Sequence, residues 1–135
     1  KLNRSQLTKK LDRIFSKYIR LRDSRSGMCT CITCSTLKDY KEMHAGHFIR
    51  RGCRTTRWDE KNVHAQCPRC NTYCYGEQAK YLIELEKRYG REEVDELMRK
   101  ERKYDSSSYV KISNPELREM IEFYKNKIKE YEYYK

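Results

Sequence analysis

Two short stretches, Cys31-Ile-Thr-Cys34 and Cys67-Pro-Arg-Cys70, decide the fold of this chain of 135 residues. A C-x-x-C turn directs both of its thiolates towards one ion, and two such turns complete a tetrahedral site with four sulfur ligands. The chain has seven cysteines, an odd number that suits disulfide pairing poorly, and it shows no secretory signal. The sequence therefore predicts one structural Zn²⁺, whose binding supplies folding free energy that a small core lacks.

The other three cysteines do not share this spacing. Cys29 could in principle replace Cys31, but its separation from Cys34 is wrong for a standard zinc knuckle. Cys29, Cys53 and Cys74 are therefore predicted to be spare thiols, either partly buried or free. The stretch from 35 to 66 is longer than a simple zinc ribbon needs, so we expect another element between the two knuckles.

The charge of the chain is concentrated in its first half. The net charge is +11, of which residues 1–26 carry +7 and residues 27–76 carry +4, while the remainder is neutral. A basic region beside a metal-binding segment favours a polyanionic partner, and a phosphate backbone is the usual one. The alternative is a solvated Lys/Arg surface without a partner.

The composition is poor in core-forming residues. Hydrophobic residues make up 37% of the chain and charged residues 38%. No apolar run approaches the ~20 residues that span a bilayer, so a membrane partner is not expected. The composition instead favours a cytoplasmic protein.

Apolar spacing predicts an α+β protein that is mainly helical. The first segment, residues 1–26, is a basic helix, and Asn3 and Gln6 have the spacing of a capping box at its start. Residues 27–76 form the zinc-knuckle core. Residues 77–135 form a helical region, and all three segments belong to one compact domain.

Two strands and several helices follow from local patterns. Strands are predicted at 42–51 and 61–66, with a loop at 52–60 between them. A helix ending at Gly90 follows the second knuckle, because glycine is well suited to the position after a helix. After one further helix, Asn114 caps the last one. The twelve tyrosines are interpreted as packing helices rather than stacking on bases.

Histidine and asparagine side chains occur in a fixed order within and beside the zinc knuckles. His44 and His47 lie on the first predicted strand, Asn62 on the second, and Asn71 directly after the second knuckle. This is the layout of a treble-clef, or ββα-metal, nuclease site. A neutral imidazole can take a proton from water, an asparagine can hold its tautomer, and a divalent ion can neutralise the phosphate and the leaving oxygen.

The chain from Cys31 to about Val94 resembles the phage NinG family, also called Rap, of recombination endonucleases. The helix before the first knuckle and the last helix also fit the pattern of this family. The residues that carry the resemblance are Cys31-Ile-Thr-Cys34, Ala45-Gly46-His47-Phe48, Arg57-Trp58-Asp59-Glu60-Lys61-Asn62-Val63-His64, Gln66-Cys67-Pro68-Arg69-Cys70-Asn71 and Tyr89-Gly90-Arg91-Glu92.

This resemblance implies an HNH-like, structure-specific endonuclease that hydrolyses phosphodiester bonds in branched DNA such as Holliday junctions and D-loops. His47 is then the general base, Asn62 its orienting residue and Asn71 a position at the catalytic metal, which would be Mg²⁺ or Mn²⁺. The four cysteines of the two pairs carry over as ligands of the structural zinc. For a phage-encoded enzyme, the expected location is the cytoplasm of the host cell.

The sequence departs from the family pattern at two positions of the catalytic metal site. His44 stands where the family commonly has Asp, and an imidazole there favours a softer ion such as Mn²⁺, Co²⁺ or Ni²⁺. Glu77 replaces the usual Asn after Gly76, so its carboxylate is a candidate ligand. Strand alternation puts His44 and His47 on opposite faces. Both reach one ion only if Gly46 marks a β-bulge; otherwise His44 is not a ligand.

Basic residues around the predicted site are candidates for contacts with DNA phosphates. Asp59 and Glu60 are expected to organise the loop that carries several of them, in part by pairing with Arg57. The alternative for this loop is an ordinary solvated surface. The candidates are Arg50, Arg51, Arg54, Arg57, Lys61 and Arg69.

A second function class also fits the charge and the cysteines, namely a zinc-binding module that binds DNA without cutting it. It leaves the ordered His47, Asn62 and Asn71 unexplained. In either class, the neutral helical tail is a possible dimerisation element. A homodimer is expected, because a two-fold enzyme could cut opposing strands of a four-way junction.

Overall fold

Four α-helices and two small antiparallel sheets make up the fold of residues 1–106 and 111–133, the part of the chain that a computed structural model describes. The prediction of a mainly helical α+β protein is confirmed. None of the helices in these ranges is long and apolar enough to cross a membrane. The elements are α1 Arg4–Arg22, β1 Ser24–Arg25, β2 Met28–Thr30, β3 Leu37–Asp39, β4 His44–His47, β5 Val63–Gln66, α2 Gln78–Tyr89, α3 Arg91–Asp105 and α4 Asn114–Tyr133, with a 3₁₀ turn at Tyr40–Glu42 and a π-helical turn at Arg69–Tyr73.

Helix α1 begins at the predicted capping box. The backbone N–H of Gln6 donates to the side-chain oxygen of Asn3, and the N–H of Asn3 donates to the side chain of Gln6, both at 2.9 Å. These bonds satisfy two amide groups that have no partner within the helix. The helix ends at Arg22, before the end of the predicted basic segment at residue 26, and the backbone N–H of Asp23 donates to the carbonyls of Ile19 and Leu21.

Helix α4 packs lengthwise on α1 in the same chain. Its cap is Ser113 and not the predicted Asn114, because Ser113 exchanges hydrogen bonds with Glu116 in a second capping box. The apolar face of α4 includes Leu117 and Ile121 and is buried against α1. This is the helix that the sequence suggests as a possible dimerisation element.

Strands β4 and β5 form a regular antiparallel pair, in which His44 lies opposite Gln66 and His47 opposite Val63. Both are shorter than the predicted strands. The register is continuous through Gly46, so of the two alternatives for this strand the one without a β-bulge is observed, and His44 and His47 lie on opposite faces. Gly46 is instead required by close packing, because a Cβ atom there would lie 2.0 Å from Oε1 of Gln66.

The sequence did not predict the second sheet. Strands β1, β2 and β3 pair in that order, antiparallel, just before and after the first knuckle. Their lengths of two to three residues are too short to show an alternating pattern.

Two hydrophobic clusters cover the two faces of the β4–β5 pair. The first joins α1 and α4 to Val63 and Ala65 of β5 and to the knuckle cysteines. The second joins α2 and α3, and Tyr81 of α2 ties it to the hairpin by donating a hydrogen bond to the carbonyl of Gly46 at 2.6 Å. The hairpin with its two histidines is therefore held between two helical layers.

Candidate functional site

The structure brings together the four cysteines whose spacing predicts a metal centre. The Sγ atoms of Cys31, Cys34, Cys67 and Cys70 all lie within 4.8 Å of one another. Zinc–sulfur bonds of 2.3 Å in a tetrahedron require sulfur atoms about 3.8 Å apart, and those of Cys34 and Cys67 are 3.6 Å apart. These four cysteines could therefore hold a metal ion such as zinc. The described residues contain no other such group of three or more His, Cys, Asp or Glu side chains.

The surroundings of the four-cysteine cluster suit thiolate ligands. The backbone N–H of Cys67 donates to Sγ of Cys31 at 3.2 Å, and the N–H of Cys70 donates to Sγ of Cys67 at 3.5 Å. Burial by itself raises the pKa of Cys34, but hydrogen bonds with Thr36 and the neighbouring cysteines outweigh it and lower that pKa to about 6. Burial raises the pKa of Cys70 to about 12. A bound cation would allow all four thiols to ionise together.

His47 is held by a backbone carbonyl. Its Nε2 lies 2.9 Å from the carbonyl oxygen of Arg57, and because a carbonyl can only accept, Nε2 carries the proton and Nδ1 the lone pair. Burial lowers the pKa of His47 below its ordinary value of 6.5, although the Arg57 carbonyl and Asp12 oppose this shift. The imidazole is therefore neutral at pH 7, with one nitrogen able to accept a proton.

Asp12 of α1 anchors the residue that holds His47. Its carboxylate accepts two hydrogen bonds from the guanidinium of Arg57 and one, at 3.0 Å, from the indole of Trp58. Arg57 was predicted to pair with Asp59 or Glu60, and this pairing is wrong. Sequence reasoning missed Asp12, although a signal was present, because residues 1–26 contain only two acidic side chains.

Asn62 fixes the loop that follows β4 and makes no hydrogen bond to the imidazole of His47. Its side chain is fully buried, its oxygen accepts from the N–H of Ile49 at 2.7 Å, and its amide donates to the carbonyls of Ile49 and Thr56. Instead of contacting His47, Asn62 forms hydrogen bonds that fix the backbone of the loop leading to Arg57.

His44 and Asn71 meet on the other side of β4. Nδ1 of His44 accepts a hydrogen bond from the side-chain amide of Asn71 at 3.0 Å, and His44 is exposed. Strand alternation turns His44 away from His47, as expected in the absence of a bulge. Glu77 makes no hydrogen bond with this pair, and its carboxylate lies 3.6 Å from the ammonium of Lys80.

An open cavity of about 1080 Å³ lies beside β4. His47 and Asn71 both line it, as do Arg50, Arg51 and Tyr75. A second cavity of about 560 Å³ is lined by basic side chains of α1 and of the loop, including Lys9 and Arg51. Arg51 therefore lies where the two cavities meet.

The predicted DNA-contacting residues differ in whether their side chains already form hydrogen bonds or ion pairs within the protein. Arg51 is exposed and makes no hydrogen bond or ion pair within the described residues. Arg50 pairs with Glu101 and Asp105, and Lys61 with Glu93, all at exposed or half-exposed positions. Arg57 is committed to Asp12.

Two further arginines of this predicted set contact the fold directly. Arg54 donates to the hydroxyl of Thr8 at 2.8 Å and lies over the Trp58 ring. Arg69 is exposed beside the sulfurs of Cys70 and Cys74 at 3.9 and 3.6 Å, next to the four-cysteine cluster.

The family model described as "Bacteriophage Lambda NinG protein" matches residues 2–133 of the chain. The chain belongs to the NinG family. It is 37% identical over 100 residues to Protein ninG of Escherichia phage 933W, 36% to that of Escherichia phage lambda and 35% to that of Salmonella phage P22. Each match covers 70% of this chain and 45% of the NinG relative, so the chain spans under half the length of these proteins. No solved structure matches it.

Proposed function

We propose that this NinG-family chain is a metal-dependent, HNH-like endonuclease that hydrolyses phosphodiester bonds in branched DNA. The observation that carries the proposal is the state of His47, a neutral imidazole fixed by a carbonyl on one nitrogen and lining an open cavity with the other nitrogen unprotonated. A histidine kept only for packing would also need an acceptor for its N–H, but it would not need to line an open cavity.

His47 acts as the general base. Its Nδ1 takes a proton from the attacking water, while Nε2 keeps its hydrogen bond to Arg57 and so prevents the ring from rotating. The same carbonyl stabilises the imidazolium that forms when the proton is taken up. Asp12 and Asn62 are positioning residues, because they act on the backbone of the loop rather than on the ring.

Asn71, which lines the same cavity as His47, is the proposed ligand of a catalytic divalent ion. His44 faces the other side of β4 and, without a bulge at Gly46, is not proposed as a ligand of this ion. The side-chain oxygen of Asn71 would supply the ligand atom. An oxygen ligand of this kind suits Mg²⁺ or Mn²⁺. When bound, such an ion neutralises charge on the phosphate and the leaving oxygen. Glu77 is not required by this arrangement.

The four-cysteine cluster is proposed to hold a structural zinc ion within a treble-clef core. The cluster joins the first knuckle to the end of β5, since the N–H of Ile32 donates to the carbonyl of Ala65 at 3.0 Å. A closed site with four protein ligands leaves no position for water or substrate, which is the pattern of structural zinc.

The two cavities suggest the path of the DNA backbone. Arg51 joins them and has no competing partner within the described residues, and Lys9 of α1 extends the positive surface beyond it. A strand that crosses the His47 cavity would meet these side chains on the same side. The branched form of the substrate, and a homodimer that cuts it twice, follow from the resemblance to recombination endonucleases.

A DNA-binding module without catalytic activity is the second candidate, favoured by the same basic surface. The two functions separate in one assay, in which zinc-loaded protein is incubated with a labelled four-way junction and added Mg²⁺ or Mn²⁺. We expect nicks near the branch point that require the added ion, and a linear duplex of the same sequence is the control. Tight binding without cleavage in Mg²⁺, Mn²⁺, Co²⁺ and Ni²⁺ would establish the second candidate instead.

A further inference from the structure

A tyrosine projects beside the cavity that contains His47. Tyr75 is 89% exposed, the highest fraction among the large hydrophobic side chains of the described residues, and it lines the cavity together with His47 and Asn71. An aromatic ring this exposed contributes little to the folded core. The interpretation of the tyrosines as helix-packing residues does not explain the exposed position of Tyr75.

The backbone that carries Tyr75 is held in an uncommon conformation. Tyr75, Gly76 and Glu77 are consecutive residues in the left-handed region, with φ of 54°, 88° and 48°. Only glycine adopts this region without strain, so two of the three residues are in a costly conformation. Such strain persists where the surroundings enforce it, and it is concentrated at binding and catalytic sites.

Hydrogen bonds from the knuckle and the hairpin enforce this conformation. The N–H of Gly76 donates to the carbonyl of Cys70 at 2.8 Å, and the N–H of Glu77 donates to that of Cys74 at 3.0 Å. The buried side chain of Gln66 donates to the carbonyl of Gly76 at 2.9 Å. The four-cysteine cluster and β5 therefore present the exposed ring from a fixed backbone.

We propose that Tyr75 stacks on an unpaired base of the DNA next to the scissile phosphate. The partner is a nucleic acid because Arg51 and Arg102 line the same cavity as the ring. Arg50 also lines it, but its charge is paired with Glu101 and Asp105. Bases within a duplex are already stacked on both faces, whereas a base at a branch point or in a single strand has a free face at little cost. Tyr75 thus gives the proposed nuclease, on which this inference rests, a preference for DNA with unpaired bases.

Tyr73 is the matched control for Tyr75. It lies two residues away, is 78% exposed and does not line the cavity. Both residues can be changed to Ala without opening a hole in either hydrophobic cluster. Zinc content and thermal unfolding of each variant report whether the knuckle is intact.

The test measures DNA affinity in a His47→Ala background without added divalent ion, so that cleavage does not interfere. Tyr75→Ala should weaken binding to a junction with unpaired bases about tenfold, within the range expected for one stacked base. Binding to a fully paired linear duplex should change less than about twofold. Junction binding should be retained in Tyr75→Phe, which keeps the aromatic ring. The fluorescence of a 2-aminopurine base at the branch should decrease on protein binding only when an aromatic ring occupies position 75.

Equal losses for Tyr75→Ala and Tyr73→Ala, or an equal loss for junction and duplex, would overturn the proposal. So would a failure of Tyr75→Phe to retain binding. Because the readout is binding, its result does not depend on whether the chain cuts DNA. A chain that never cuts but shows the Tyr75 effect contradicts only the nuclease proposal.

Discussion

The four-cysteine cluster and the His47 cavity are assembled in different ways. Each half of the cluster is a local C-x-x-C turn, and contacts between the two turns bring the four sulfur atoms together. His47 instead depends on the carbonyl of Arg57, which in turn depends on Asp12 of α1 and on the loop fixed by Asn62. A metal centre needs particular ligand types, whereas a general base needs neighbours that fix its tautomer and its pKa.

Of the changes that test this comparison, loss of one cysteine of the four-cysteine cluster should have the largest effect on the stability of the fold. Cys70→Ser removes a buried thiolate, and because metal binding and folding are coupled, both should be lost. Structural zinc contributes roughly 10–16 kcal/mol of apparent binding free energy in small zinc domains. Elemental analysis should find no zinc, and circular dichroism should show no cooperative thermal transition.

The matched control is Cys74→Ser, because Cys74 lies outside the four-cysteine cluster but close to it. This variant should keep one zinc ion per chain and the thermal transition of the unmodified protein. A Cys70→Ser protein that still melts cooperatively with zinc bound would show that the cluster does not organise the fold.

The ion pair behind His47 should give the next largest effect. The Arg57 and Asp12 side chains are 13% and 21% exposed, and Arg57→Ala leaves the Asp12 carboxylate partly buried with the Trp58 indole as a donor but without its cationic partner. We expect a loss of about 3 kcal/mol in the free energy of unfolding in urea, with zinc retained. A change below about 0.5 kcal/mol, the size of an ordinary surface substitution, would contradict this role.

Arg51→Ala should lower DNA affinity and leave stability nearly unchanged, in contrast to Arg57→Ala. Arg51 has no ion pair to lose within the described residues, so stability should stay within about 0.5 kcal/mol. Affinity for all DNA forms should fall, and the slope of log K against log salt should decrease by about one, the value for one lost phosphate contact. An unchanged slope would assign Arg51 to a solvated surface.

Local features of the fold could be predicted from the sequence, and long-range ones could not. The capping box at Asn3 and the helix end at Gly90 depend on residues within one turn, and the structure has both. The observed cap of α4 is Ser113 rather than the predicted Asn114, and the sequence could not distinguish them because Ser and Asn are about equally favourable as caps. Strands β1 to β3 are too short to show periodicity.

The same limit applies to the candidate site. His47 could be singled out by its order between the knuckles, but its partner is a backbone carbonyl, and no residue type identifies a carbonyl. The pairing of His44 with Asn71 spans 27 positions and depends on the register of β4. The exposure of Tyr75 depends on a strained turn, which composition does not reveal.

The dependence of cleavage on pH should give the smallest effect. Burial lowers the pKa of His47 below 6.5, so the neutral form that accepts a proton persists through neutral pH. Initial rates should fall at acidic pH as the ring is protonated, and the half-maximal rate should lie below the ordinary histidine pKa of about 6.5. A half-maximal rate at or above about pH 6.5 would mean that the pKa of the base is not lowered.

The cleavage rate of His47→Ala tests the central claim most directly. The variant is compared with the unmodified chain on a labelled four-way junction in Mg²⁺ or Mn²⁺, with zinc content, thermal unfolding and junction affinity measured on the same samples. With His47 as general base, the rate should fall at least ~10²-fold, while the other three properties stay unchanged. A His47→Ala protein that cuts at the rate of the unmodified chain would contradict the assignment.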